Sequence, residues 1–392
     1  PAIDAAHHEV SAEASEADWS CNLPNLGAYG GTAEASRSWW GVCPVLNVTT
    51  GVGYPALVAA ISGTTAPGQL LGLRGGELDG TQPATVPQGV TVEGSLTGGN
   101  TLYGSAAPMF FLEDVELTLI GFEAITGSSL IGSGTPGAGW TVSVEGMTVT
   151  GSSFIYTSVQ DASLAINVQD STLGTESNPL SGNAVMIGGS LATTAPQVWS
   201  VSIVNSQVSA LGHAVRMWSN QIGQVHSAVL SVSDSLLASQ DRPVFINFGS
   251  APVAVSFANS VVGCDQYGVM ITAGNASTAE FESSLFSGSG AGWWPAIDLD
   301  GNGGAAWTVD VVNTTFASAR YGLRVTPSSS GTVTNSLFTE ISDTAIAAQG
   351  ASIGATYNAF WANGADADFP LDSANITCDP GFPPLSCPVI PA

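Results

Sequence analysis

The chain has 392 residues and sets 31 Asp and Glu against 6 basic residues, all of them Arg, for a formal net charge of −25. With no Lys and no run of Arg, neutralising a nucleic-acid backbone is excluded and attachment to an anionic membrane surface is disfavoured. Apolar residues make up 44% of the chain, ample for a continuous core, and no apolar run approaches the roughly 18 to 20 residues that cross a bilayer.

The chain opens PAIDAAHHEV, without Met and without the basic, apolar and small-residue zones of a signal peptide, and reads as a processed or internal piece of a longer precursor. His7, His8 and Glu9 are adjacent on an extended arm, where neighbouring side chains point apart, so a solvated arm is favoured over a metal site. The five cysteines contain no C-x-x-C spacing. Cys21 with Cys43, and Cys378 with Cys387, read as two local disulfides of a protein from an oxidising compartment, the alternative being free thiols. Cys264, in VVGC, reads as a buried small hydrophobe.

YPALVAAISG predicts a short helix from about Tyr54 to Ile61. Beyond it a repeat takes over: an alternating apolar strand, a bend residue, then a large apolar residue three positions later. The predicted bends are Gly94, Gly121, Gly146, Asp170, Asn205, Asp234, Asn259, Ser283, Asn313, Asn335 and Asn358, residue types that tolerate a left-handed backbone. The third position after the later bends predicts one inward ladder: Val208, Leu237, Val262, Phe286, Phe316, Phe338 and Trp361. After most bends a second short strand follows, as in NAVMIG, HAVRMW, PVFINF, YGVMIT, PAIDLD, YGLRVT and TAIAAQ. Strands separated by bends at fixed phase describe a coil whose turns pair in parallel, because period two and abundant β-branched residues exclude amphipathic helices. The fold expected is all-β, a right-handed parallel β-helix (solenoid) with a short N-terminal helix. Residues 1–50 form an arm, 51–93 the helix and first coil, 94–377 the β-helix and 378–392 an exit segment.

These segments resemble the right-handed parallel β-helix proteins of the pectate-lyase-like group, which includes many large secreted bacterial surface proteins. The resemblance covers nearly the whole chain and implies that YPALVAAISG plugs the first turn, while YNAFWANGADADF and CDPGFPP form the last coil and its exit. PAIDAA and NLGAYGGTAEASRS resemble the tail that follows the DPGF-like segment in that family, so the chain looks circularly offset. Either it is one module of a longer array, or residues 1–37 complete the coil of a neighbouring copy through Ile3, Leu26 and Tyr29, or the arm folds back on its own coil.

The second strand series exposes one column, Met186, Arg216, Phe245, Met270, Asp298, Arg324 and Ala347, and beside it Gly188, Trp218, Asn247, Thr272, Asp300, Thr326 and Gln349. Enzymes of the resembled fold usually bind and cleave carbohydrate on such a sheet. Asp298 and Asp300, two apart on one strand, are expected about 6.6 Å apart, at the lower edge of the spacing of an inverting glycosidase. Arg324 is expected one rung away, which is also the geometry of a surface ion pair. DLDGNG matches half of an EF-hand loop, with Asp298, Asp300 and Asn302 as calcium ligands. Position twelve of such a loop is Val309 rather than Glu, and the Asp cluster with an adjacent basic residue that lyases of this fold use is not found. Trp39 with Trp40 and Trp293 with Trp294 are candidates for stacking on sugars or anchoring a neighbour. The mixed columns exclude an ice-binding face. Sequons stand at Asn47, Asn275, Asn313 and Asn375. The expectation is a secreted, non-enzymatic structural or surface protein, extracellular, assembling with itself head to tail into filaments. The alternatives are a polysaccharide-active lyase or hydrolase and a carbohydrate-binding adhesin.

Overall fold

The computed structural model describes residues 43–377 apart from 75, 95–98, 105–106, 113–114, 134–138, 160–162, 190–195, 220–225, 250, 265–266 and 289–293. They form a parallel β-solenoid of about ten turns. One coil shows the plan. Strand Val198–Val204 turns Trp199, Val201 and Ile203 inward, Asn205 bends the chain, strand Gln207–Ala210 follows, and strand Val215–Ser219 completes the turn. Each pairs in parallel with its equivalent one coil on, as Val201 with Leu230, Val208 with Leu237 and Met217 with Ile246. Three ladders of strands therefore run along the axis around one apolar core, which we call the first, second and third sheets in chain order.

The bends are left-handed, with φ between +47° and +66°, at Gly121, Gly146, Asp170, Asn205, Asp234, Asn259, Ser283, Asn313 and Asn335. Two predicted bends are corrected. Gly94 is not left-handed; glycine is required there because a Cβ would meet the Gly121 carbonyl oxygen at 2.2 Å. At the last coil the left-handed residue is Tyr357, at φ +61°, and not Asn358. The inward ladder accordingly runs Val208, Leu237, Val262, Phe286, Phe316, Phe338 and then Phe360, with half-buried Trp361 one position past it. Consecutive phenyl rings from Phe286 to Phe360 stack with centroids 5.7, 4.6 and 5.2 Å apart and interplanar angles of 17°, 5° and 10°.

Immediately after each bend from Asp170 onward lies a small polar residue that is buried: Ser171, Ser206, Ser235, Ser260, Ser284, Thr314, Ser336 and finally Asn358. Each of these seven hydroxyls donates to the carbonyl two residues back, as Ser260 Oγ does to Ala258 at 2.7 Å. Most also accept a backbone N–H from the preceding coil, as Ser284 Oγ accepts that of Ser260 at 3.1 Å. Asn358 Oδ1 takes over this role for Ser336 at 2.9 Å, and Asn375 Oδ1 does so for Asn358 at 3.0 Å. Asn358 thus belongs to the polar row inside the corner, which is why the bend falls one residue earlier. Ser284→Ala leaves the Ser260 amide buried without its acceptor and is expected to cost about 1 to 3 kcal/mol. Native-state hydrogen exchange at Ser260 is the direct check, and an unchanged rate there would refute the role.

The N-terminal end is closed by antiparallel pairing. Hairpin Val45–Asn47 with Val52–Tyr54 joins strand Gln69–Leu73, from which parallel pairing then proceeds to Val90–Glu93. Helix Leu57–Ser62 buries Leu57, Ala60 and Ile61 in the core. Six residues are too few for a helix to persist alone, so this one exists by packing. At the other end Phe369 and Leu371 pack on the core, Ile376 bridges to Ala359, and Asp368 accepts the N–H groups of Ala348 and Gln349 at 2.9 and 2.8 Å.

Candidate functional site

Side chains of the third sheet that do not enter the core face outward in register, so residues far apart in sequence become neighbours. Met186, Arg216, Phe245, Met270, Asp298, Arg324 and Ala347 are successive strand partners. Gly188, Trp218, Asn247, Thr272 and Asp300 form the adjoining column. Thr326 and Gln349 fall outside it, because strands Tyr321–Val325 and Thr344–Ala347 stop short of them and Gln349 is itself left-handed at φ +52°.

Four of the six arginines gather on this sheet or its leading edge: Arg216, Arg242, Arg320 and Arg324. Two of them sit in hydrogen-bonded ion pairs with carboxylates. Arg324 holds Asp298 through two parallel bonds, Nε to Oδ1 at 2.8 Å and Nη2 to Oδ2, and Asp298 is buried. This bond pushes the Arg324 pKa above its ordinary value. Arg320 Nε lies 3.2 Å from Asp343 Oδ2. Asp300, half-buried beside this pair, has its pKa raised, first by burial and then by the Asp298 charge, with Arg324 opposing.

The other two arginines are sandwiched with aromatic rings. The Arg216 guanidinium carbon lies 4.7 Å from the Trp218 ring centroid and 5.7 Å from that of Phe245. For Arg242 the distances are 5.1 Å to Phe245 and 4.4 Å to Tyr267. Tyr267 in turn meets Trp294, which is exposed, with centroids 4.7 Å apart. Arg242, Tyr267, Met270, Trp294 and Asp298 line a shallow surface depression. His213 lies at the edge of this group, its ring 5.7 Å from Phe245 and its Nδ1 3.4 Å from Asp241 Oδ2. Burial holds its pKa down at about 4, Arg216 and Arg242 lower it further, and Asp241 opposes them.

The predicted residues divide accordingly. Asp298, Asp300 and Arg324 are brought together, with both Asp298 oxygens engaged by Arg324. Asn302 starts a 3-10 turn, and its amide donates to the Gly249 carbonyl at 3.2 Å. Among the described residues no group of three or more His, Cys, Asp or Glu side chains could hold a metal ion. Trp294 joins the site, while Trp293, Trp39, Trp40, His7, His8, Glu9, Ile3, Leu26, Tyr29, Cys21, Cys378 and Cys387 lie outside the described residues. Cys43 is buried and disulfide-bonded. His226 is buried at a coil corner, where Nδ1 accepts the Gln197 N–H at 3.2 Å.

Sequence reading missed the roles of Arg242 and Tyr267. Their signal was a spacing of about one coil between Arg216 and Arg242 in a chain almost devoid of cations. No family model, no curated protein and no solved structure matches the chain.

Proposed function

We propose that the protein is a stiff extracellular solenoid that binds carbohydrate along the outward face of its third sheet. One observation carries this reading: Trp218, Phe245, Tyr267 and Trp294 alternate with Arg216 and Arg242 on adjacent rungs of a rigid scaffold. Aromatic rings with one open face stack on the apolar faces of sugar rings, and guanidinium forks supply directional hydrogen bonds beside them. Strand-borne side chains hold such a row with little entropy lost on binding. The acidic surface and the disulfide at Cys43 fit an oxidising, extracellular setting. Binding is favoured over turnover because Asp298, one of the two candidate carboxylates, is already committed to Arg324.

Co-sedimentation of the full chain with a panel of insoluble polysaccharides tests the reading. The double variant Tyr267→Ala, Trp294→Ala is expected to bind at least tenfold more weakly, from about 1 to 3 kcal/mol per lost stacking contact by analogy with base stacking. Tyr357→Asn, at an exposed bend remote from the third sheet, is expected to bind like the wild type. Wild-type binding by the double variant, or no binding by the wild type across the panel, refutes the reading.

A further inference from the structure

Three nitrogen atoms on the third sheet and its leading edge are buried without a hydrogen-bond partner: His213 Nδ1, Arg216 Nε and Arg242 Nε. They belong to one place, since both guanidinium groups and the imidazole surround the Phe245 ring at 5.7, 5.1 and 5.7 Å. His213 is only 6% exposed, and its backbone N–H is already spent on the Asn183 side-chain oxygen at 2.8 Å. Burying polar nitrogens without partners is costly, and two guanidinium donors beside an unpartnered imidazole nitrogen call for a group that brings oxygen atoms.

The charges point the same way. Asp241 is the carboxylate of this cluster; its Oδ1 lies 3.9 Å from Arg242 Nε and its Oδ2 3.4 Å from His213 Nδ1 without making a hydrogen bond there. Arg216 has no ion pair among the described residues and rests between Trp218 and Phe245. Two guanidinium groups facing one carboxylate leave a positive charge uncompensated, in a chain whose net charge is −25. Abundant acidic side chains elsewhere have not been recruited to it.

We infer that Arg216, Arg242 and His213 form a binding site for one oxyanion, a carboxylate or a sulfate group. Arg216 and Arg242 present planar forks that suit two oxygens of such a group, and the flanking rings keep both forks flat and partly dry. When the oxyanion is carried by a sugar, the inference rests on the carbohydrate reading above and makes the face selective for acidic saccharides; when it is a free ion, the site stands alone.

Titration of the full chain with sodium sulfate, sodium glucuronate and glucose, at constant ionic strength set with chloride, separates the sources. Sulfate and glucuronate are expected to raise the melting temperature saturably and to compete in calorimetry, while glucose does neither at the same site. Arg216→Gln and Arg242→Gln, checked for folding by circular dichroism, are expected to weaken both anions at least tenfold. Arg320→Gln, from the pair with Asp343, leaves them unchanged. Equal losses in Arg216→Gln and Arg320→Gln, or the same shift with chloride alone, overturn the site. Neutral polysaccharide binding with no response to either anion also overturns it and leaves the carbohydrate reading intact. A sulfate response in a protein that binds no polysaccharide supports the site and removes that reading.

Discussion

Replacing Phe316 by Ala is expected to lower the unfolding free energy by about 3 to 5 kcal/mol. The ring is fully buried, with Phe286 on one side and Phe338 on the other at 5.7 and 4.6 Å. Those neighbours are fixed to their own coils by backbone pairing on both sides, so they cannot close the void without breaking register. The loss therefore includes the cavity as well as the transfer of the ring. Phe360→Ala should behave similarly but less severely, being the terminal ring of the stack. Trp361→Ala, half-buried beside it, should cost under about 1.5 kcal/mol. Urea denaturation followed by the fluorescence of the buried Trp140, Trp199 and Trp307 ranks the three variants, and a larger loss for Trp361→Ala than for Phe360→Ala would overturn the register of the last coil.

Acid is expected to weaken the fold through His213. Burial, the first cause, together with Arg216 and Arg242 holds its pKa at about 4 against 6.5 for the free side chain. Between those values the unfolded chain takes up a proton that the folded chain refuses. Stability from the neutral imidazole is thus complete above pH 6.5 and declines as the pH falls toward 4, by up to about 3 kcal/mol. Asp300 acts in the opposite sense, because its raised pKa lets the folded chain bind the proton first as the solution is acidified. Asp79 and Asp343, whose pKa values are lowered by hydrogen bonds, lose their contribution only below the ordinary carboxylate range. Melting curves of the wild type and His213→Gln between pH 7 and pH 4 isolate the histidine. Parallel curves for the two proteins would disprove the assignment.

The bends and the inward ladder were legible because both depend on local rules. Left-handed φ selects Asn, Asp and Gly, and a coil of fixed phase puts a large apolar residue three positions later. The rule failed where two demands met. Tyr357 adopts the left-handed conformation although Tyr rarely does, because Asn358 is needed one position on to continue the row of hydroxyls and hand it to Asn375. That row was itself visible as a Ser or Thr following nearly every bend residue, yet its meaning depends on an N–H arriving from another coil. The outward column was readable from register, which placed Arg324 beside Asp298. Arg242 and Tyr267 were not, since both precede their strands and reach the face around a corner that periodicity does not describe.

Nearly every strand beyond the first cap pairs only with the coil before it and the coil after it, and in the last turns the bends Asn313, Asn335 and Tyr357 recur with the same phase. A whole turn is thus a self-contained unit whose upper and lower edges have the same shape. Duplicating or losing one such unit lengthens or shortens the rod while every remaining contact keeps its kind. The third-sheet face grows or shrinks in step, so the length of that outward face is a property of how many turns the gene encodes, adjustable without redesigning any one of them.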